Sequence, residues 1–268
     1  MKIRAITGFF FVLVMLASVL TGAYPFAVFF LVLSLLCVDE FYRLVKTDTV
    51  KPQRFSGMVL ALTVFIPVLV HLLKGQGLHY IFFAAPIAVL ICIAELYLKA
   101  EKPFHNLAYT YFGVSYLIMP FAFFTASAFL GAEYNFHIPL GTMLLLWASD
   151  TGAYLFGVRW GKTKLFERHS PKKSWEGFLG GMFTSLLVAF ILSTQFMELS
   201  AINWAVMSVL VVVGGTFGDL CESMLKRSVG KKDSGSLLPG HGGLLDRFDG
   251  LLFAAPLVFV YLYFILSF

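Results

Sequence analysis

Asp219, Glu222, Ser223 and Lys226 fall at i, i+3, i+4 and i+7, a spacing that places all four on one face if Gly214–Arg227 is helical. A carboxylate inside an apolar helix is costly, so such residues normally face a partner, an ion or water. Lys226 also opens a basic run with Arg227, Lys231 and Lys232. Glycines 235, 240, 242 and 243 follow, able to turn tightly with their N–H groups exposed. The segment closes on Asp246 and Asp249, three residues apart at the edge of the last apolar run. Acidic oxygens from two helices with basic groups around them suit a hard cation and a polyphosphate. Magnesium takes one or two carboxylates and completes its shell with phosphate oxygens and water. Asp219 and Asp246 are therefore the expected metal ligands, with Glu222 and Asp249 in support. The alternative is an Asp–Lys or Glu–Lys pair that only ties helices together. His241 reads either as a hydrogen-bonding loop residue or as a phosphate donor.

A second segment, Trp147 to Gly181, carries Asp150 within an apolar run and Ser170-Pro171-Lys172-Lys173-Ser174-Trp175-Glu176-Gly177 at its end. Ser170 suits an N-cap and Pro171 a first helical position. A helix N-terminus beside Lys172 and Lys173 would make an anion site. The plainer alternative is a capped helix after an ordinary basic loop.

These residues must be positioned by apolar elements, because 59% of the 268 residues are hydrophobic and 13% charged. Soluble domains carry about a quarter charged residues. Apolar runs approach the ~20 residues that span a bilayer as helix. They divide into nine expected spans near residues 5–21, 24–38, 56–73, 78–98, 107–130, 138–158, 177–196, 202–222 and 249–267. Of the 20 lysines and arginines, 19 fall in alternate connections and one in the others. The positive-inside rule then puts the N-terminus in the cytoplasm and the C-terminus outside. The expected fold class is an all-α polytopic membrane protein. Residues 1–130 would form the scaffold and residues 131–268 a catalytic region with cytoplasmic loops 159–176 and 226–248. MKIR before the first apolar run also suits a secretory signal, but the charge alternation favours a retained span. The net charge of +5 belongs to inner-face loops, so nucleic acid is not an expected partner. Cys37, Cys92 and Cys221 lie far apart and support neither disulfides nor zinc.

The run from Ser223 to Asp249 resembles the signature of phosphatidate cytidylyltransferases, or CDP-diacylglycerol synthases. The matching residues are Ser223-x-Leu225-Lys226-Arg227, Lys232-Asp233, Gly235, Leu238-Pro239, His241-Gly242-Gly243-Leu244 and Asp246-Arg247-Phe248-Asp249. Ser149–Tyr154 and Ser170–Gly177 resemble two further segments of that family. The resemblance implies that CTP and phosphatidate give CDP-diacylglycerol and pyrophosphate with Mg2+, at the cytoplasmic face of the cell's inner (plasma) membrane. Lys226, Arg227, Glu222 and Asp249 would then be catalytic. Asp150, Ser170, Lys172, Lys173 and Glu176 would bind substrate from the first segment. Ser223, Lys232, His241, Gly242, Gly243 and Arg247 would do so from the second. A homodimer is the assembly considered. Rival readings are another CTP-using lipid enzyme, such as a polyprenol kinase or an ether-lipid cytidylyltransferase, and a transporter of anionic lipid or nucleotide.

Overall fold

A computed structural model describes residues 2–131, 133–237 and 242–266. The described residues form nine α-helices and a single two-stranded antiparallel sheet. Among the described residues, six helical segments are long and apolar enough to cross a membrane: Arg54–Lys74, Leu78–Tyr97, Pro103–Ser127, Trp175–Gln195, Ala201–Ser228 and Asp249–Leu266. The chain divides into two compact units. One holds residues 1–126 with 233–246, the other residues 127–232 with 247–268.

The first unit contains α1 (Lys2–Leu20), α2 (Ala23–Val45), α3 (Arg54–Lys74), α4 (Ala84–Tyr97) and most of α5 (Pro103–Ser127). Aromatic packing joins α2 to α5, where the Phe30 and Phe124 ring centroids lie 4.8 Å apart. The Tyr42 hydroxyl donates to the Thr110 carbonyl at 2.7 Å. Gly57 of α3 admits that ring, since a Cβ there would lie 2.6 Å from Tyr42 Cζ. A buried polar knot fixes the ends of α4 and α5. Glu95 accepts from Gln53 Nε2 and Asn106 Nδ2, each at 2.6 Å.

Helix α2 continues seven residues beyond the expected end at 38. Asp39 and Glu40 look like a stop in the sequence, yet Glu40 is buried and Asp39 is paired with Arg43 at 2.7 Å and with Arg54. Satisfied carboxylates do not end a helix.

The second unit contains α6 (His137–Trp160), β1 (Lys164–Phe166), β2 (Ser170–Ser174), α7 (Trp175–Gln195), α8 (Ala201–Ser228) and α9 (Asp249–Leu266). Small residues let α6 and α7 meet closely. A Cβ on Gly181 would lie 2.8 Å from the Ser149 carbonyl oxygen. Thr184 Oγ1 donates to the Ala148 carbonyl at 2.9 Å, and Ser185 Oγ to that of Leu145 at 3.2 Å. Gly214 and Gly218 likewise let α8 and α9 approach closely. Gly214 lies against the Ala254 backbone and Gly218 against the Asp249 carbonyl, which sets the start of α9 beside the acidic turn of α8.

The hairpin departs from an all-α chain and overturns the capping assignment. Ser170–Ser174 is extended and pairs with Lys164–Phe166, so Ser170 is not an N-cap and Pro171 does not begin a helix. Proline is tolerated because both strands of a two-stranded sheet are edges. The N-cap is Ser174, whose side chain accepts from Gly177 N at 3.1 Å.

Candidate active site

A cavity of about 240 Å³ in the second unit is lined by Asp150 from α6, Lys172 and Lys173 from β2, and Asp219 from α8. These elements converge through the packing already described: Gly177, Ser149 and Gly215 also line the wall, where a larger side chain would fill the space. Lys173 Nζ lies 2.6 Å from Asp219 Oδ2. Ser223 Oγ donates to Asp219 Oδ1 at 3.2 Å. The helical spacing read from the sequence thus holds as a contact.

Charges alternate around this cavity. Asp150 has Lys173, Asp219 and Arg247 as charged neighbours. Asp249, at the first turn of α9, has Asp219 and Glu222 beside it, and its Oδ1 accepts from Gly250 N at 2.7 Å. Glu222 is fully buried and takes Lys226 Nζ at 3.0 Å. Arg227 turns back to its own loop, with Nη1 donating to the Lys231 carbonyl at 3.2 Å. Lys232 and Lys172 are exposed.

Glu176 holds the hairpin in place. Its carboxylate accepts from the backbone N–H groups of Lys162 and Thr163, at 3.1 Å in both cases. Trp175 N adds a bond to the Thr163 carbonyl at 2.9 Å. Glu176 therefore fixes β1 and β2 at the N-terminus of α7, which is how Lys172 and Lys173 come to line the cavity. Ser170, at the start of β2, is not among the lining residues described.

The other half of the signature folds within the first unit. Asp246 Oδ2 accepts from Gly243 N at 2.9 Å and Ser234 N at 3.1 Å. Gly242 adopts φ +86°, a left-handed conformation that favours glycine. Gly243 has no room for a side chain, since a Cβ would lie 2.6 Å from Gly235 N. His241 lies outside the described residues. Sequence reasoning missed Glu40, whose carboxylate accepts from Ser234 Oγ at 2.6 Å and from the N–H groups of Leu244 and Leu245, both at 2.9 Å. The acidic pair Asp39-Glu40, closing an apolar run, was the available signal.

Among the described residues, no three His, Cys, Asp or Glu side chains converge as a ready metal-ligand set. One or two carboxylates suffice for magnesium when phosphates and water supply the rest. Asp150 and Asp219, lining one cavity, fit that requirement.

Residues 2–265 match the Cytidylyltransferase family. The chain is 33% identical over 262 residues to a phosphatidate cytidylyltransferase of Staphylococcus aureus (strain COL), covering 96% of this chain and 97% of that protein. The same identity and coverage relate it to the enzyme of that name from Staphylococcus epidermidis (strain ATCC 12228). The Staphylococcus haemolyticus (strain JCSC1435) enzyme is 32% identical over the same shares. With residues of the two further family-like segments lining one charged cavity, part of the signature tied into one loop, and 96% of its length matched in these relatives, the chain belongs to the cytidylyltransferase family, among the phosphatidate cytidylyltransferases.

Proposed function

We infer that the protein transfers the cytidylyl group of CTP to phosphatidate, giving CDP-diacylglycerol and pyrophosphate for phospholipid synthesis. The observation that carries the reading is the Lys173–Asp219 pair at 2.6 Å in a cavity that also presents Lys172 and Asp150. Cations to hold phosphates, on β2, and carboxylates to hold a metal, on α6 and α8, line one cavity.

Both substrates are anions, so the site must first offset their repulsion. Lys172 and Lys173 take phosphate oxygens, and Lys173 exchanges its contact with Asp219 for one with substrate. Arg247 adds a third positive charge near Asp150. Lys226 stays on buried Glu222 and fixes the electrostatics of the α8 face, while Arg227 and Lys232 serve the loop. Magnesium bound at Asp219 would supply charge neutralisation at the CTP phosphates, with phosphate oxygens and water completing its shell. Asp246 is retained as a ligand proposal on its place in the signature.

A phosphatidate phosphate oxygen attacks the α-phosphorus of CTP. The bond from that phosphorus to the bridging oxygen breaks, and pyrophosphate leaves with the electron pair. A phosphate monoester dianion is already a nucleophile, so transfer depends on positioning and charge rather than on an activated side chain. The protein would sit in the cell's inner (plasma) membrane with the hairpin and the signature loop on the cytoplasmic side, where CTP arrives from water and phosphatidate from the bilayer. The division of lysines and arginines between alternate connections supports that orientation.

Two labelled forms of CTP test the reaction. Label at the α-phosphate should enter the lipid and label at the γ-phosphate should leave in pyrophosphate. Lipid carrying the γ-label would instead mark a kinase and contradict the reading.

A further inference from the structure

We propose that Glu40 is a positioning residue for the reaction, its carboxylate fixing the closing end of the signature loop. The proposal rests on the cytidylyl-transfer reading and adds a residue from α2, far from the signature in sequence.

Glu40 is only 7% exposed, and a buried carboxylate is expensive unless its oxygens are hydrogen-bonded. Three donors meet that need, and all belong to the loop. Oε1 accepts from Ser234 Oγ at 2.6 Å and Leu245 N at 2.9 Å, and Oε2 accepts from Leu244 N at 2.9 Å. Such bonds to an ionised acceptor are about twice as strong as neutral ones. The Ser234 hydroxyl also accepts from Asp246 N at 3.3 Å. A chain therefore runs from the Asp246 backbone through Ser234 to Glu40. Asp246 closes the knot from the other side by accepting from Ser234 N and Gly243 N.

The loop is shaped to this carboxylate. A Cβ at Gly235 would lie 2.7 Å from Glu40 Oε2, and Gly243 is pressed against Glu40 and Ser234. Glutamine cannot replace Glu40 fully. Its single carbonyl oxygen can serve the Oε1 donors, but its NH2 group would then oppose Leu244 N–H. The strand of loop carrying Asp246 and leading to Arg247 and Asp249 would lose its anchor.

Hydrogen exchange and steady-state kinetics on the full-length protein in lipid nanodiscs test this. Glu40→Gln should raise exchange at the Leu244 and Leu245 amides about tenfold, as for one lost buried hydrogen bond, with exchange in α3 and α5 unchanged. Its kcat should fall at least as far while KM for CTP moves less. Ser234→Ala, which removes the short bond to Glu40 and the longer one from Asp246 N but leaves Glu40 bonded to the Leu244 and Leu245 amides, should give the same pattern more weakly, and it carries the test if Glu40→Gln fails to fold. Wild-type exchange and kcat in the variant that folds would overturn the proposal. So would faster exchange spread equally through α3 and α5, the sign of a merely structural residue. A wild-type protein without cytidylyl transfer overturns the reaction reading itself, whereas normal turnover in Glu40→Gln overturns only the positioning role.

Discussion

Lys173 and Asp219 meet at 2.6 Å on the wall of a cavity, joining a β-hairpin to a long helix within one unit. Their side chains are 26% and 38% exposed, so the pair itself contributes about 0–1 kcal/mol to stability. Its value lies in the charge presented to a ligand. Lys173→Met should therefore lower kcat/KM about 10²-fold, the usual cost of one preorganised donor, with a thermal midpoint in detergent close to wild type. Near-normal kcat/KM would show that the pair only ties the hairpin down.

Asp246 separates charge from shape. Its Oδ2 accepts two backbone N–H groups, and an asparagine oxygen can accept the same two. Asp246→Asn should keep the loop and the thermal midpoint while abolishing turnover, because the negative charge is lost while both backbone donors keep an acceptor. Turnover near wild type at ordinary magnesium concentration would remove Asp246 from the metal assignment.

How much of this was readable in advance depended on whether a signal was local. The apolar runs marked the helices, and the i, i+3, i+4, i+7 pattern on α8 became the Asp219–Ser223 and Glu222–Lys226 contacts. Ser170-Pro171 misled because the same dipeptide suits a strand start and a helix cap, and Ser174 offered an equally good cap four residues on. Glu40 stood out as an acid closing an apolar run, but what it binds was hidden for a different reason. Its partner Ser234 lies 194 residues away, and no local pattern reports a bond of that range.

Gly218 tests the packing that places Asp249. A Cβ there would collide with the Asp249 carbonyl and lie 3.2 Å from Gly250 Cα. Gly218→Ala should destabilise the protein by about 1–3 kcal/mol, the range for overpacking, and reduce activity through the displaced start of α9. Thermal denaturation in detergent checks the first effect. An unchanged midpoint would mean that α8 and α9 have slack at this crossing.

Orientation can be read in the segments that precede and follow α7. Cysteines placed singly at Glu167 and Met197, with Cys37, Cys92 and Cys221 replaced, should respond differently to an impermeant thiol reagent. Inside-out vesicles should label Glu167→Cys and spare Met197→Cys, as the basic residues of the 159–176 loop require. The opposite pattern would invert the topology.

Pyrophosphate release by the purified protein measures the central claim most directly. Supplied with CTP, phosphatidate and magnesium in detergent, it should release one pyrophosphate for each CDP-diacylglycerol formed, and Asp219→Asn should release none. Accumulation of CDP in place of pyrophosphate, or release that continues without phosphatidate, would contradict the account.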